Sequence, residues 1–356
     1  WWKDYGELND YFARLSLVLS QGRQENGWII LEPTTSLWLH YTNVAGGKPL
    51  WDIANNFQAL LGALERGQME YDLGCEDIMA DCGSVGRKCL NVGQARYHTV
   101  VLPAKTENLE SRTFQLLRDF ASSGGRIIAL GLPYYVDGEE SAELQAFMQS
   151  DAVIKMQKPQ EILSLYRQET DLLVQCPENS HVYHYRCRYE DGQLLFLANS
   201  SLTDETPVTV SMTGKYLYRL DAMTGRIFLQ SKADGGKLKV ETKLFPADSQ
   251  LWFASDEKVL NAEAGNDSPS DLKPLQAQGE TEVNPLRPNV LNLDFCSMTV
   301  GDKHLQDVFY KEANSQLWRH FGKSDPWEAA VQYRRSILER DSFPEGEIKL
   351  EYAFRV

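Results

Sequence analysis

A strand–helix–strand unit near residue 100 constrains the fold of this chain more than any other feature. Val100-Val101-Leu102 is a short apolar run, a helical pattern covers 109–122, Gly124-Gly125 ends it, and 126–130 is a second apolar run. Such runs are typical of strands buried on both faces, and this order of elements joins parallel neighbours in an open sheet. Residues 1–175 are therefore predicted to form an α/β domain with helices on both faces of a parallel sheet.

Two earlier segments repeat the same alternation of helix and strand. Tyr5 to Gln21 has apolar residues at helical spacing and is closed by Gly22. Trp28 to Leu31 reads as a buried strand, and Phe57 to Gly67 as a further helix. Both patterns support a parallel sheet layered between helices.

The pattern changes after about residue 180. Val182 to Tyr189 alternates, Asp191-Gly192 supplies a turn, and Gln193 to Leu197 returns as a hairpin partner. Further short strands with turn residues between them predict an antiparallel β-sandwich domain over 176–260. Residues 261–283 read as a linker or long loop, and 284–356 as the start of another β-sandwich domain, with strands at 289–298 and 347–356. The chain begins without methionine and ends on a strand, so we expect it to be part of a longer protein.

Composition excludes several classes of function. The 356 residues carry a net charge of −14, which argues against binding to nucleic acid or to anionic membranes. No segment approaches the roughly 18–20 apolar residues that a membrane-spanning helix needs. The six cysteines show no paired C-x-x-C spacing, so free thiols are favoured over a disulfide or a metal site, and no metal is predicted.

The common catalytic motifs do not occur. There is no G-x-S-x-G or G-x-C-x-G elbow, and no phosphate-binding glycine loop, so neither an activated nucleophile nor a nucleotide cofactor is predicted. Cys75 follows Gly74, but no apolar strand leads into it, and we interpret it as a structural thiol.

Three carboxylates are the candidate ligand contacts. Glu32 follows the strand at Trp28, and Asp72 and Glu76 flank a Leu-Gly-Cys segment. A carboxylate at the carboxyl end of a parallel strand can face a ligand crevice, although it can equally cap a helix or pair with arginine. Exposed aromatics, namely Trp38, Trp51, Trp318 and Trp327, could stack on sugar rings, but packing in a core or a domain interface is the commoner role.

Several segments resemble large bacterial glycoside hydrolases of the α-L-rhamnosidase type. The stretches are Trp1-Trp2-Lys3 with 8–22, Tyr71-Asp-Leu-Gly-Cys-Glu76, Val92-Gly93, Tyr97, 100–103, Gly124-Gly125, 197–200 and 220–225. Tyr71–Glu76 is similar to a family stretch with an acidic residue where Cys75 stands, so any role carried over to that loop is in doubt. The similarity runs in patches over most of the chain, and none of its motifs is catalytic.

The resemblance implies a catalytic barrel on the N-terminal side that this chain lacks. It also implies a flavodoxin-like or glutamine-amidotransferase-like domain followed by β-sandwich domains. The catalytic carboxylates would lie in the barrel, so no residue here would be catalytic, and the segment alone would be inactive. Such enzymes are exported, so the resemblance implies a periplasmic or extracellular protein that acts on oligosaccharide or polysaccharide, with a homo-oligomer as a further expectation.

Two other readings stay open. One is a stand-alone carbohydrate-binding or oligomerisation module without hydrolase activity. The other is a free-standing hydrolase or amidotransferase-like enzyme that uses the α/β domain, against which the missing elbow argues.

Overall fold

The structure is a computed structural model that describes residues 2, 4–42, 47–233, 235–259, 261–264, 279, 290–323 and 347–354. The chain divides into two compact units, Trp1–Asp271 and Leu272–Val356. The predicted linker at 261–283 and Trp327 lie largely or wholly outside the described residues. The predicted domain limits after 175, 260 and 283 stay predictions.

The first unit holds helices and strands in the following chain order. Its helices are α1 (Tyr5–Gln21), α2 (Thr34–His40), α3 (Lys48–Arg66), α4 (Glu76–Cys82), α5 (Ser111–Ser122), α6 (Ala142–Gln149) and α7 (Pro159–Glu169). Its strands are β1 (Trp28–Leu31), β2 (Asp72–Gly74), β3 (Gly83–Gly86), β4 (Cys89–Val92), β5 (Ala95–Tyr97), β6 (Thr99–Leu102), β7 (Asn108–Leu109), β8 (Arg126–Ala129), β9 (Tyr135–Val136), β10 (Glu139–Glu140), β11 (Val153–Lys155), β12 (Leu173–Gln175), β13 (Val182–Arg188), β14 (Gly192–Asn199), β15 (Thr206–Thr213), β16 (Tyr216–Leu220), β17 (Ile227–Lys232), β18 (Lys237–Leu244), β19 (Ser249–Ser255) and β20 (Glu263–Ala264).

A parallel sheet forms the centre of the α/β part. Within the described residues it has five strands in the order β11-β8-β6-β1-β2, and every neighbouring pair is parallel. All four residues of β1 are buried, because its alternate side chains enter two different cores. Ile29 and Leu31 pack in the core that includes α5 residues, whereas Trp28 and Ile30 pack with residues of α3 and α7. The predicted parallel sheet covered on both faces is confirmed.

One predicted helix starts in the wrong place. The prediction began it at Phe57, but α3 begins at Lys48, nine residues earlier, with proline in its first turn. Ile53, Leu60 and Leu64 are its buried residues, and their spacing of seven and four places them on one face. The polar run around residue 55 lies on the exposed side of that helix, which hid the periodicity.

The β part of the first unit is a sandwich. Within the described residues, one sheet has the order β12-β15-β18 and the other β13-β14-β19-β16-β17-β20, with antiparallel neighbours except for the short β17–β20 pair. Side chains of both sheets share one core, for example Val210 of the first and Trp252 of the second. The predicted hairpin is confirmed, since β13 pairs with β14 from Val182↔Asn199 to Arg188↔Gln193.

Helix α1 packs against the sandwich. Leu15, Val18 and Leu19 contact the same cluster as Cys187 and Leu251 of the larger sheet. None of the residues of α1, all of them described, is fully buried. Near its N-terminal end, Leu8 and Phe12 are 47% and 53% exposed, so only part of the apolar stripe of α1 is covered.

The second unit contains β21 (Phe295–Val300), β22 (Lys303–Phe309), α8 (Tyr310–His320) and β23 (Ile348–Glu351). The strands pair antiparallel in the order β22-β21-β23, with Met298 and Ala313 in the core beneath. The strand predicted to start at residue 289 instead begins at Phe295, and residue 289 lies outside the described residues. The alternating Leu291 and Leu293 are exposed, so they do not continue the buried face.

Candidate functional site

The three predicted ligand contacts lie at two different edges of the parallel sheet. Glu32 follows β1, and its backbone N–H donates to Gly74 O at the end of β2. Glu76 begins α4, directly after that strand, so it lies at the same carboxyl edge. Asp72 is the first residue of β2 and lies at the amino end. The structure therefore brings Glu32 and Glu76 to one edge and separates Asp72 from them.

Glu76 is buried and its carboxylate is fully engaged. Thr35 Oγ1 donates to one oxygen at 2.7 Å, and the Glu110 backbone N–H donates to the other at 2.8 Å. Burial raises the pKa of Glu76, although these two donors oppose the rise. The carboxylate thereby ties α2 and the start of α5 to the end of the sheet.

Asp72 is engaged in the same way at the other edge. Asn26 Nδ2 donates to Asp72 Oδ1 at 2.6 Å, and Tyr97 Oη donates to Oδ2 at 2.7 Å. Both oxygens thus have donors within the protein. Glu32 is half-buried. Ligand contact by these three carboxylates stays a prediction.

The prediction that no strand leads into Cys75 is wrong. The short strand β2 does lead into it and α4 follows it, so Cys75 occupies a strand-to-helix turn. Its φ of −82° and ψ of 128° are ordinary extended values, however, whereas a nucleophile elbow is a sharp, strained turn. The relaxed backbone and half-buried side chain favour the structural interpretation of this thiol.

A cleft opens at the amino edge of the parallel sheet in the first unit. Its volume is about 700 Å³, and it lies between the α/β part and β13 of the sandwich. The segment 23–28 that precedes β1 forms one wall, and the end of α7 with 169–171 forms another. None of the three predicted carboxylates lines it, but Asn26 does and thereby links the cleft to Asp72.

A buried ion-pair network forms one side of this cleft. Arg186 Nε and Nη2 donate to the two oxygens of Glu70, and its Nη1 donates to Asp171 Oδ1 at 2.6 Å. Arg188 Nη2 donates to the other Asp171 oxygen at 2.7 Å. Although burial opposes ionisation of Asp171, these arginines outweigh it and lower its pKa to about 2. Both carboxylates of this network are therefore already paired with arginine.

A second ion pair lies at the wall that the end of α7 forms. Arg126 donates through two nitrogens to the two oxygens of Glu169, at 2.6 and 2.7 Å, and its guanidinium lies 5.1 Å from the centre of the Trp28 ring. Burial, helped by the Arg126 charge, lowers the pKa of His98, so this imidazole is neutral at pH 7.

The mouth of the cleft carries charged side chains that have no ionic partner among the described residues. Arg23 Nη2 donates to Gln94 Oε1 at 3.1 Å, and Arg96 Nη2 contacts Cys89 Sγ at 3.5 Å. Neither guanidinium has a carboxylate partner among the described residues. Glu25, also exposed at the cleft, has no cationic partner there either.

Sequence reasoning missed this cleft because its residues come from five separated segments. Glu70 and Arg186 are 116 residues apart and belong to no recognisable motif. Only an alternation of charged residues in β13, at Arg186 and Arg188, could have suggested that this strand end faces polar surroundings rather than solvent alone.

Metal binding and membrane insertion find no support in the described part of the chain. No group of three or more His, Cys, Asp or Glu side chains there is arranged to hold a metal ion. The described helices include none that is both long and apolar enough to cross a bilayer.

The fold is similar to part of a rhamnosidase from Novosphingobium sp. PP1Y, with a TM-score of 0.51 and 16% sequence identity. The match covers 82% of this chain but 27% of the rhamnosidase, so the chain spans about a quarter of that protein's length. At this identity the likeness establishes a shared fold and leaves the chemistry open. The chain thus shares its fold with part of a rhamnosidase, which agrees with the sequence resemblance at the level of fold.

Two further solved structures are similar to this chain at lower scores. A β-galactosidase from Bacillus circulans sp. alkalophilus matches at a TM-score of 0.48 and 9% identity, over 71% of this chain and 45% of that one. An exo-carrageenase from Bacteroides ovatus matches at 0.40 and 12%, over 66% and 30%. Both scores are too low to carry a conclusion. No protein-family model matches the sequence, and no curated protein is similar enough to count as a relative.

Proposed function

We propose that this chain is an accessory, non-catalytic portion of a glycoside hydrolase of the α-L-rhamnosidase type. In this proposal it acts as a scaffold beside a catalytic barrel that the chain lacks. The observation that carries it is the fold shared with the Novosphingobium rhamnosidase over 82% of this chain. The sequence stretches such as Tyr71–Glu76 that resemble the same type of enzyme support it independently.

The chemistry of the described carboxylates supports a non-catalytic role. Glycoside hydrolysis needs one carboxylic acid that can give up a proton and a second carboxylate that acts as nucleophile or base. Arginines lower the pKa of Glu169 and of Asp171, so these two carboxylates are poor proton donors at neutral pH. Both oxygens of Glu70 are already bonded to Arg186. Both oxygens of Glu76 already accept hydrogen bonds from Thr35 and the Glu110 backbone.

The same proposal assigns the α/β part to a flavodoxin-like scaffold. Numbered along the chain, the parallel strands stand in the order 2-1-3-4-5, which is a common doubly wound order. Ligands of such sheets bind at the carboxyl edge, where Glu32 and Glu76 lie, and we therefore keep these two residues as proposed ligand contacts of the intact protein. Export to the periplasm or beyond, an oligosaccharide or polysaccharide substrate and a homo-oligomeric state belong to the proposal.

The test is an assay of two proteins on one substrate panel. The 356-residue chain and a longer protein that contains it are incubated with aryl glycosides, led by aryl α-L-rhamnoside. We expect the longer protein to cleave and this chain to be inactive. Cleavage by this chain alone would contradict the accessory role. Cleavage by a longer protein that contains no further folded domain would contradict it as well.

A second candidate function is a stand-alone carbohydrate-binding or oligomerisation module. It is favoured by the exposed aromatics near the carboxyl edge, where Trp38 is 62%, Tyr41 70% and Trp51 57% exposed. Aromatic rings at a surface are suited to sugar stacking or to a protein interface. Trp318, another predicted stacking residue, is buried and therefore unsuited. Sedimentation of this chain tests whether these aromatic residues form a protein interface. Tryptophan fluorescence with added oligosaccharides tests whether they bind sugars.

A further inference from the structure

We propose that the cleft at the amino edge binds a carboxylated sugar such as a hexuronate. Arg23 and Arg96 would bind its carboxylate, and Glu25 with Asn26 would accept hydrogen bonds from its hydroxyl groups. The choice of a sugar rests on the proposed function, whereas the choice of an acid rests on the charges of the cleft itself.

The balance of charges within the cleft favours an anionic group. Glu70 and Asp171 are neutralised by Arg186 and Arg188, and Glu169 is neutralised by Arg126. Once these pairs are set aside, two guanidiniums and one carboxylate line the cleft without an ionic partner among the described residues. Two free cations in one cleft are notable in a chain whose net charge is −14.

The two arginines are held in place by neutral acceptors. Gln94 Oε1 accepts from Arg23, and Cys89 Sγ accepts from Arg96, which leaves the remaining N–H groups of each guanidinium without an acceptor among the described residues. Gln94 directly precedes β5 and Arg96 lies within it, so both arginines lie beside the same end of the cleft mouth. A guanidinium with free N–H groups matches the planar geometry of a carboxylate.

The polar acceptors nearby match sugar hydroxyls. Asn26 is 5% exposed, and its Nδ2 is used by Tyr71 O and Asp72, while its buried Oδ1 accepts no hydrogen bond from the described residues. An unsatisfied buried acceptor is costly, and a small movement of the cleft wall that lets a ligand hydroxyl reach this oxygen would relieve that cost. Glu25 offers a second acceptor. The cleft volume of about 700 Å³ falls within the range of small-molecule sites.

The experiment compares two sugars that differ only in their charged group. Purified 356-residue chain is titrated with glucuronate and with glucose at low ionic strength, and binding is followed by calorimetry or amide chemical shifts. We expect glucuronate to bind and glucose not to, and added salt to weaken the binding, because part of the attraction is between exposed charges. Acetate and inorganic phosphate are titrated as anions that lack the sugar hydroxyls.

Three variants locate the binding. Arg23→Gln and Arg96→Gln are each expected to weaken glucuronate binding about tenfold, since each removes one charge-assisted contact. Arg87→Gln is the matched control, because Arg87 is an exposed arginine near β5 that does not line the cleft. All three positions are exposed, and thermal melts of the variants verify that the fold is kept.

Three other outcomes overturn the proposal. Equal binding of glucose and glucuronate would show that the carboxylate is not recognised. Acetate or phosphate binding as tightly as glucuronate would show an anion site rather than a sugar-acid site, and absence of binding would remove the site altogether. If this chain binds glucuronate but the longer protein cleaves no glycoside, the inference stands and the proposed function fails. If the longer protein cleaves glycosides but this chain does not bind glucuronate, only the inference fails.

Discussion

Arg186 of β13 donates hydrogen bonds to both carboxylate oxygens of Glu70, which lies 116 residues earlier, in the loop before β2. The Arg186 and Glu70 side chains are 8% and 11% exposed. The pair therefore joins the α/β part of the first unit to the sandwich through a nearly dry contact. Asp171, at the start of the segment leading into β12, completes the junction by taking the third guanidinium nitrogen.

Removing Arg186 is expected to destabilise the first unit strongly. Arg186→Met leaves Glu70 buried without its partner, and loss of one member of a buried pair costs about 3–5 kcal/mol. Urea denaturation measures the change in the free energy of unfolding. Arg118→Met is the matched control, since Arg118 pairs with Glu143 at the surface and its loss should cost less than about 1 kcal/mol. Equal effects of the two substitutions would contradict the role given to burial.

Acid is expected to weaken the same junction in a narrow pH window. The pKa of Asp171 is about 2 in the fold against an ordinary value of 3.8, so the unfolded chain binds a proton first as the pH falls. Its contribution to stability is complete above about pH 4 and is lost towards about pH 2, roughly 1 kcal/mol once screening at this 35% exposed side chain is allowed for.

The pH effect is measured as a difference between proteins. The free energy of unfolding of Asp171→Asn is compared with wild type from pH 5 to pH 2, and the gap between them should shrink across that range. Asp151→Asn, at an exposed residue without an ionic partner among the described residues, should show a constant gap. If the difference in the free energy of unfolding between wild type and Asp171→Asn grows as the pH falls, the pairing of Asp171 with the arginines is excluded.

Two glycines are expected to respond oppositely to alanine. At Gly125 a Cβ would lie 2.0 Å from Cε2 of Phe120, which is fully buried, so Gly125→Ala should cost about 1–3 kcal/mol through overpacking. At Gly62, inside α3, a Cβ would meet only the flexible end of Arg66 at 3.4 Å. Gly62→Ala should stabilise by about 0.5–1 kcal/mol, because alanine is the better helix former. Thermal melts of both variants test the pair.

Glu76 is expected to matter for folding rather than for turnover. Glu76→Ala removes both accepting oxygens and leaves the Glu110 N–H and the Thr35 hydroxyl without this partner, at a cost of about 1–3 kcal/mol. In a longer protein that contains this chain, Glu32→Gln, Asp72→Asn and Glu76→Gln should leave turnover within about one order of magnitude.

Turnover and stability of these variants are measured on the same preparations, so that a loss of turnover can be told apart from a loss of folded protein. A loss of turnover by several orders of magnitude in a variant that stays folded would make the substituted carboxylate catalytic.

The elements that the sequence predicted well are those in which one local pattern decides the structure. Trp28 to Leu31 is buried on both faces and therefore appears as an unbroken apolar run, and the Asp191-Gly192 turn fixes the β13–β14 hairpin. The start of α3 and the three-stranded sheet of β3, β4 and β5 were missed, since half-buried segments of this kind mix polar and apolar residues without a clean period.

The candidate site was harder to predict for a different reason. A carboxylate at a strand end can be located from sequence, as Glu32 and Glu76 were, but its partners cannot. Glu70 is paired with an arginine far along the chain, and Arg23 meets Gln94 only because β1 and β5 lie near one another in the fold. Such contacts are set by the packing of separate elements, which no local spacing records.

Helix α1 is attached to the sandwich by a few hydrogen bonds and a partly covered apolar face. Arg14 donates to the backbone carbonyls of Ala222 and Met223, and Tyr189 donates to Val18 O, yet no residue of the helix is fully buried. Detaching it would uncover far less apolar surface than opening the sandwich, so its amides should exchange with solvent through a local opening of low free energy. We therefore expect α1 to open locally, at a lower free energy than the global unfolding of the first unit.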